Sequence, residues 1–218
     1  MEPLILYFIL FFPRVYSYSF PGTILVPDAI SFSILRELGR TLTYTLPSLA
    51  LLWYLISDRR GISAIKEEKP HIRDLYSFAA GFPGLIVIGL GISFMVMLFP
   101  ETQGLNPPPK IEAPVTMAGW IIMILSCLGT GYLEESYFRY YLLKILEKPL
   151  PKAAFRIILS TALFSLCHVY EGPWGILNAV LAGVLLSFLF IRFNSLHGIA
   201  WAHGAYNIFV YFMGRFSL

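Results

Sequence analysis

Long apolar runs separated by short charged or proline-rich stretches set the pattern of this chain. Residues 4–20 are apolar apart from Arg14, with Pro13 as a kink. Residues 41–57, 75–99, 115–143, 157–170, 174–191 and 197–214 each read as a further apolar helix. Several approach the roughly 20 residues needed to cross a hydrocarbon core about 30 Å thick. Residues 21–40 differ: Pro21, Gly22, Pro27 and Asp28 break the run. Ile30, Phe32, Ile34, Leu35 and Leu38 then alternate with Ser31, Ser33, Arg36, Glu37 and Arg40. That alternation predicts an interfacial amphipathic helix leading into the next span. The expected fold class is an all-α polytopic membrane protein, a bundle of about seven or eight transmembrane helices.

Composition agrees. Of 218 residues, 57% are hydrophobic and 13% charged, and mean hydropathy is +0.69. Soluble domains run nearer 25% charged. The net charge of +3 gives no reason to expect a nucleic-acid partner. Cys127 and Cys167 lie inside apolar runs without metal-ligand spacing and read as small core residues. The first residues lack a basic leader and an obvious small-residue cleavage site, so they read as a retained membrane segment.

The placement of charge sets orientation. Segment 58–74 carries Arg59, Arg60, Lys66, Lys69 and Arg73; segment 144–156 carries Lys144, Lys148, Lys152 and Arg156; Arg192 precedes the last helix. With alternating spans these lie on one side, which the positive-inside rule makes cytoplasmic. Seven spans put the amino terminus inside and the carboxyl terminus outside. An eighth within 21–40 would move only the amino terminus. The basic loop 58–74 reads as a topology signal, with anionic lipid as a second reading.

The costly residues come next. Glu134, Glu135 and Arg139 sit in the apolar run that begins at Val115, and His168 and His203 in later runs. A charge at the bilayer centre costs at least about 2.5–3.5 kcal/mol, so such residues mark function. At 1.5 Å per residue, Glu134 lies roughly 15 Å from the basic flank at Lys144. By the same measure His168 lies roughly 18 Å from Arg156, and His203 roughly 16 Å from Arg192. Three helices thus bring ionisable groups to one level. Glu135 and Arg139, four apart, share a helix face and suit an internal ion pair, leaving Glu134 on an adjacent face for chemistry. His203 and Asn207, again four apart, present an imidazole and an amide to one cavity, and Phe164 lies one turn before His168.

These groups suit hydrolysis. A carboxylate and an imidazole can share a water and take its proton. A second imidazole with an amide can donate to the oxyanion. The same Glu134, His168 and His203 could instead hold a zinc ion, although no HExxH is present. A proton-linked transporter built on these residues, or a non-catalytic scaffold or immunity factor, are the competing functions. Transporters often show internal repeats, and none is visible here.

The motifs Glu134-Glu-Ser-Tyr-Phe-Arg139, Phe164-Ser-Leu-Cys-His168 and His203-Gly-Ala-Tyr-Asn207, spaced by 34 and 35 residues, resemble those of the CAAX protease and bacteriocin-processing family of intramembrane endopeptidases. The Ras-converting CAAX prenyl proteases are its eukaryotic members. The resemblance covers about residues 115–212. It implies a catalytic core over 115–218, with 1–114 as amino-terminal membrane helices and loops. It implies that Glu134 and His168 activate the attacking water, that His203 and Asn207 stabilise the oxyanion, and that Glu135 and Arg139 support them. It admits a metal-free glutamate mechanism, which we favour and which needs no cofactor, or a zinc one. The implied substrates are membrane-associated peptides or lipidated CAAX-type proteins. Membrane lipids are the other expected partner, and the location is the plasma membrane of a prokaryote. Outside the motifs, His197 reads as a cap or surface residue, Glu171 and His71 as solvated, and Tyr137, Phe138, Trp174 and Trp201 as packing or interface aromatics.

Overall fold

The computed structural model describes residues 2–19, 29–30, 32–61, 69–99, 110–148, 150 and 152–214. Almost all of this is helix, in seven rods among the described residues. The first is α1, Glu2–Ser19. The second begins at α2, Ile34–Arg40, where the Ser33 hydroxyl accepts the Arg36 N–H at 3.4 Å. It continues through a π-helical stretch, Thr41–Thr45, into α3, Leu46–Arg60. The third is α4, Ile72–Leu98, whose Asp74 carboxylate accepts the His71 N–H at 2.5 Å. The fourth begins as α5, Met117–Glu135, capped by Thr116, and continues as a ten-residue π-helix, Ser136–Ile145. The fifth, α6, Ala153–Leu166, is followed by a short 3-10 turn, Val169–Glu171. The last two are α7, Gly172–Phe193, and α8, Leu196–Gly214. A two-residue parallel pairing joins β1, Ala29–Ile30, to β2, Lys110–Ile111.

Among the described residues, three helices can cross a membrane by length and composition: Ile72–Leu98, Met117–Ile145 and Val169–Phe193. Glu2–Phe11 and Ala153–Leu166 are apolar but shorter. The exterior is apolar along these rods, with Val87, Leu90, Met97 and Ile158 all exposed. Large exposed apolar surface marks an interaction face, and here the partner is hydrocarbon. The protein is an all-α membrane protein.

The structure alters the reading of residues 21–40. Residues 20–28 and 31 lie outside the described residues, so an additional span there has no description. The stretch from Ile34 onward is not a separate interfacial helix, because the backbone runs unbroken to Arg60. Its amphipathic pattern is also inverted. Leu35 is 81% exposed, whereas Glu37 is 6% exposed. Leu35 thus turns outward and Glu37 inward, while Arg36 stays exposed.

Ionic ties collect at the basic end of the bundle. Arg59 pairs with Glu2, and the Tyr141 hydroxyl donates to Glu2 Oε1 at 2.8 Å. The Ser195 hydroxyl donates to Asp74 Oδ1 at 2.5 Å and accepts the Gly198 N–H at 3.0 Å, fastening the starts of α4 and α8. In the interior, Tyr137, Phe138, Tyr140 and Tyr141 are fully buried. Phe11 of α1 packs on Phe138 and Tyr137, with ring centroids 4.9 and 5.2 Å apart. Tyr137 and Phe138 are therefore packing residues, in line with their apolar neighbourhood in the sequence.

One close crossing positions the site. A Cβ on Gly131 of α5 would lie 2.8 Å from the Ala200 carbonyl oxygen and 3.0 Å from the Gly204 nitrogen of α8. A Cβ on Gly204 would lie 2.9 Å from Leu128 Cδ2 and 3.1 Å from Leu128 Cα. Without hydrophobic drive between helices in lipid, such small-residue contacts let backbones approach.

Candidate active site

Glu134 and Glu135 are the last two residues of α5, at the junction with the π-helix. Wide helical turns of this kind recur at functional sites. Arg139 stands one turn further on. Its Nη1 donates to Glu135 Oε1 at 2.9 Å, and both side chains are fully buried. The expected ion pair is present, but Glu135 does more than hold Arg139. The same oxygen lies 2.7 Å from His203 Nδ1. Because an ionised carboxylate only accepts, Nδ1 carries the hydrogen and donates. The other ring nitrogen, Nε2, faces Glu134 Oε2 at 3.7 Å, beyond direct hydrogen-bond length. Glu134 is 2% and His203 7% exposed. Two adjacent carboxylates thus bracket one imidazole from a different helix.

Phe164 is the hub of the cluster. The Arg139 guanidinium lies over its ring, 4.6 Å from the centroid, and also faces Phe138 at 5.8 Å. Arg139 Nε and Nη2 have no hydrogen-bond acceptor among the described residues, and the ring faces offer them a cation–π surface instead. The His168 ring packs on Phe164 at 4.6 Å and the His203 ring meets it edge-on at 5.9 Å. One phenyl ring therefore touches the arginine and both histidines. The sequence placed Phe164 only as an aromatic neighbour of His168.

His168 itself is not helical, contrary to the reading of 157–170 as one helix. The α6 helix ends at Leu166, and His168 lies in the turn beyond, with φ −110° and ψ 11°. It is half-buried, and its Nδ1 lies 2.8 Å from the Phe164 carbonyl oxygen. A carbonyl only accepts, so Nδ1 donates and the lone pair is on Nε2. Asn207 stands one turn past His203 on α8 and is half-buried.

Two other expectations change. His197 is not a bare cap: it is half-buried, its Nδ1 lies 2.9 Å from the Tyr132 hydroxyl, and its ring stacks on Trp201 at 5.9 Å. Tyr132 reaches across from α5, so this contact is a second tie at the same crossing. Glu171 is half-buried in the turn before α7 and not fully solvated.

Among the described residues, no three His, Cys, Asp or Glu side chains are grouped to hold a metal ion.

The fold and this cluster define a polytopic helical membrane protein with an ionisable site enclosed by its helices. Residues 116–209 match the family model described as type II CAAX prenyl endopeptidase Rce1-like. That stretch is similar to Rce1-like domains of the CAAX protease and bacteriocin-processing class, a class of intramembrane proteases. No curated protein and no solved structure matches the chain.

Proposed function

We infer that the protein is an intramembrane endopeptidase in which Glu134 and His168 take a proton from the attacking water. The observation that carries this reading is the bracketing of His203 by Glu134 and Glu135 beside a His168 whose Nε2 is kept as an acceptor. The water attacks the scissile carbonyl, and the proton taken up then passes to the leaving amine. His203 and Asn207 donate to the oxyanion. Glu135, itself held by Arg139, fixes the ring of His203. With Nδ1 donating to Glu135, the His203 ring gives a hydrogen to the oxyanion from Nε2 when it carries one on each nitrogen.

On this reading no cofactor is required. The substrates are membrane-associated peptides or lipidated CAAX-type proteins, the setting is the plasma membrane of a prokaryote, and nucleic acid has no part. The test is cleavage of a fluorogenic farnesylated CAAX peptide by protein reconstituted in liposomes. Glu134→Gln and His168→Ala should each lower kcat at least about a hundredfold, the usual range for loss of a general acid–base group. Full activity in both variants would end this reading, as would activity in Glu134→Gln that matches the wild type.

A further inference from the structure

The first helix reaches the site, although it lies outside the matched stretch 116–209. Among its described side chains, Leu6, Leu10 and Phe11 are buried and apolar, and Tyr7 is buried with them at 3% exposure. The Tyr7 hydroxyl meets Cys167 Sγ at 3.4 Å, and the same sulfur lies 3.5 Å from the Leu163 carbonyl oxygen. A phenylalanine would fill that space without burying a polar group, so the hydroxyl is the feature that needs a reason. Cys167 is the residue immediately before His168.

The turn that carries His168 leans on α6. Cys167 and His168 donate their backbone N–H groups to the carbonyls of Phe164 and Ser165, at 3.2 and 3.0 Å. Such tightened bonds are common where a helix ends. His168 Nδ1 bonds back to the Phe164 carbonyl as well. A hold from another helix comes from α1, at two points. Tyr7 meets Cys167 directly. Phe11 packs on Phe138 at 4.9 Å, and Phe138 meets Phe164 edge-on at 5.2 Å, backing the ring on which His168 rests. The rod that carries Tyr7 is itself fastened on either side of it. The Pro3 carbonyl accepts the Tyr137 O–H at 2.6 Å, and the Leu10 carbonyl accepts the Tyr44 O–H at 2.5 Å. Reacting groups need such support, because a misplacement of about 1 Å can cost about a hundredfold in rate.

We propose that Tyr7 is a positioning residue that sets the orientation of His168 by holding Cys167. The proposal rests on the endopeptidase reading and adds to it a residue from outside the matched stretch. Tyr7 touches no reacting atom. Its hydroxyl keeps the turn from rotating, so that His168 Nε2 stays aimed at the attacking water.

The experiment is steady-state cleavage of the farnesylated CAAX peptide by the full chain in liposomes, with Tyr7→Phe placed in the wild-type and the His168→Ala backgrounds. Tyr7→Phe should lower kcat at least about fivefold, the worth of one hydrogen bond, with KM unchanged. Cys167→Ala should do the same, and the two changes together should be no slower than either alone. Cys167→Ser, which keeps a hydroxyl for Tyr7 to meet, should retain most of kcat. In the His168→Ala background Tyr7→Phe should cause no further loss, because it acts through that imidazole. A general loosening of the fold would slow both backgrounds alike. Wild-type kcat in Tyr7→Phe, a loss confined to KM, or a loss repeated in full in the His168→Ala background overturns the proposal. Should Tyr7→Phe fail to fold, Cys167→Ala against Cys167→Ser carries the same comparison, and equal kcat in those two counts equally against it. Failure of the endopeptidase reading shows separately, as full activity in His168→Ala.

Discussion

Glu135 and Arg139 illustrate how one residue pair serves two ends. Their ion pair is fully buried, and the same carboxylate oxygen holds His203 Nδ1. Removing one member of a buried pair leaves the other charged and unpaired, at a cost of about 3–5 kcal/mol. Arg139→Met should therefore lower the melting temperature in detergent sharply. Glu135→Gln with Arg139→Met should cost less than the two single changes added together, because neither charge is then stranded. Glu135 and Arg139 were legible from their four-residue spacing. Phe164 as the common surface of Arg139, His168 and His203 was not, because those three residues come from three separate segments. No local pattern records a ring shared among them.

At the scale of elements, the crossing of α5 and α8 brings His203 to the two carboxylates. Gly131→Val would drive a branched side chain into the Ala200 carbonyl and the Gly204 backbone, which cannot yield as a flexible side chain would. The helices must part by roughly an ångström, a displacement that can cost about a hundredfold in rate. Gly131→Val should thus lower kcat about that much while the secondary structure seen by circular dichroism stays unchanged. The sequence suggested where helices lie through the run of apolar residues. It did not reveal the π-helix over Ser136–Ile145, since the residues there have the same apolar character as an α-helix. Nor did it show that α6 stops at Leu166. Neither glycine nor proline stands at Cys167 or His168, where the helix gives way to a turn.

At the scale of the whole molecule, orientation follows from where the basic residues gather. Glu2, Arg59 and Tyr141 meet at one end, and the starts of α4 and α8 are tied by Asp74 and Ser195. The same end carries Lys144, Lys152 and Arg192, so it should face the cytoplasm. In right-side-out vesicles, a membrane-impermeant maleimide should label Glu112→Cys but not Lys152→Cys, in a background with Cys127 and Cys167 replaced. Labelling of Lys152→Cys alone would reverse the assignment.

The sequence by itself determined the class of this protein, its apolar helical runs and the three motifs. Hydropathy and residue spacing are local quantities, and they suffice for those conclusions. Tertiary structure alone decided that both carboxylates converge on one imidazole, and that Glu37 turns inward and Leu35 outward. Alternating polar and apolar residues look identical whether the solvent is water or lipid. Only the packed bundle shows which side of the helix is buried.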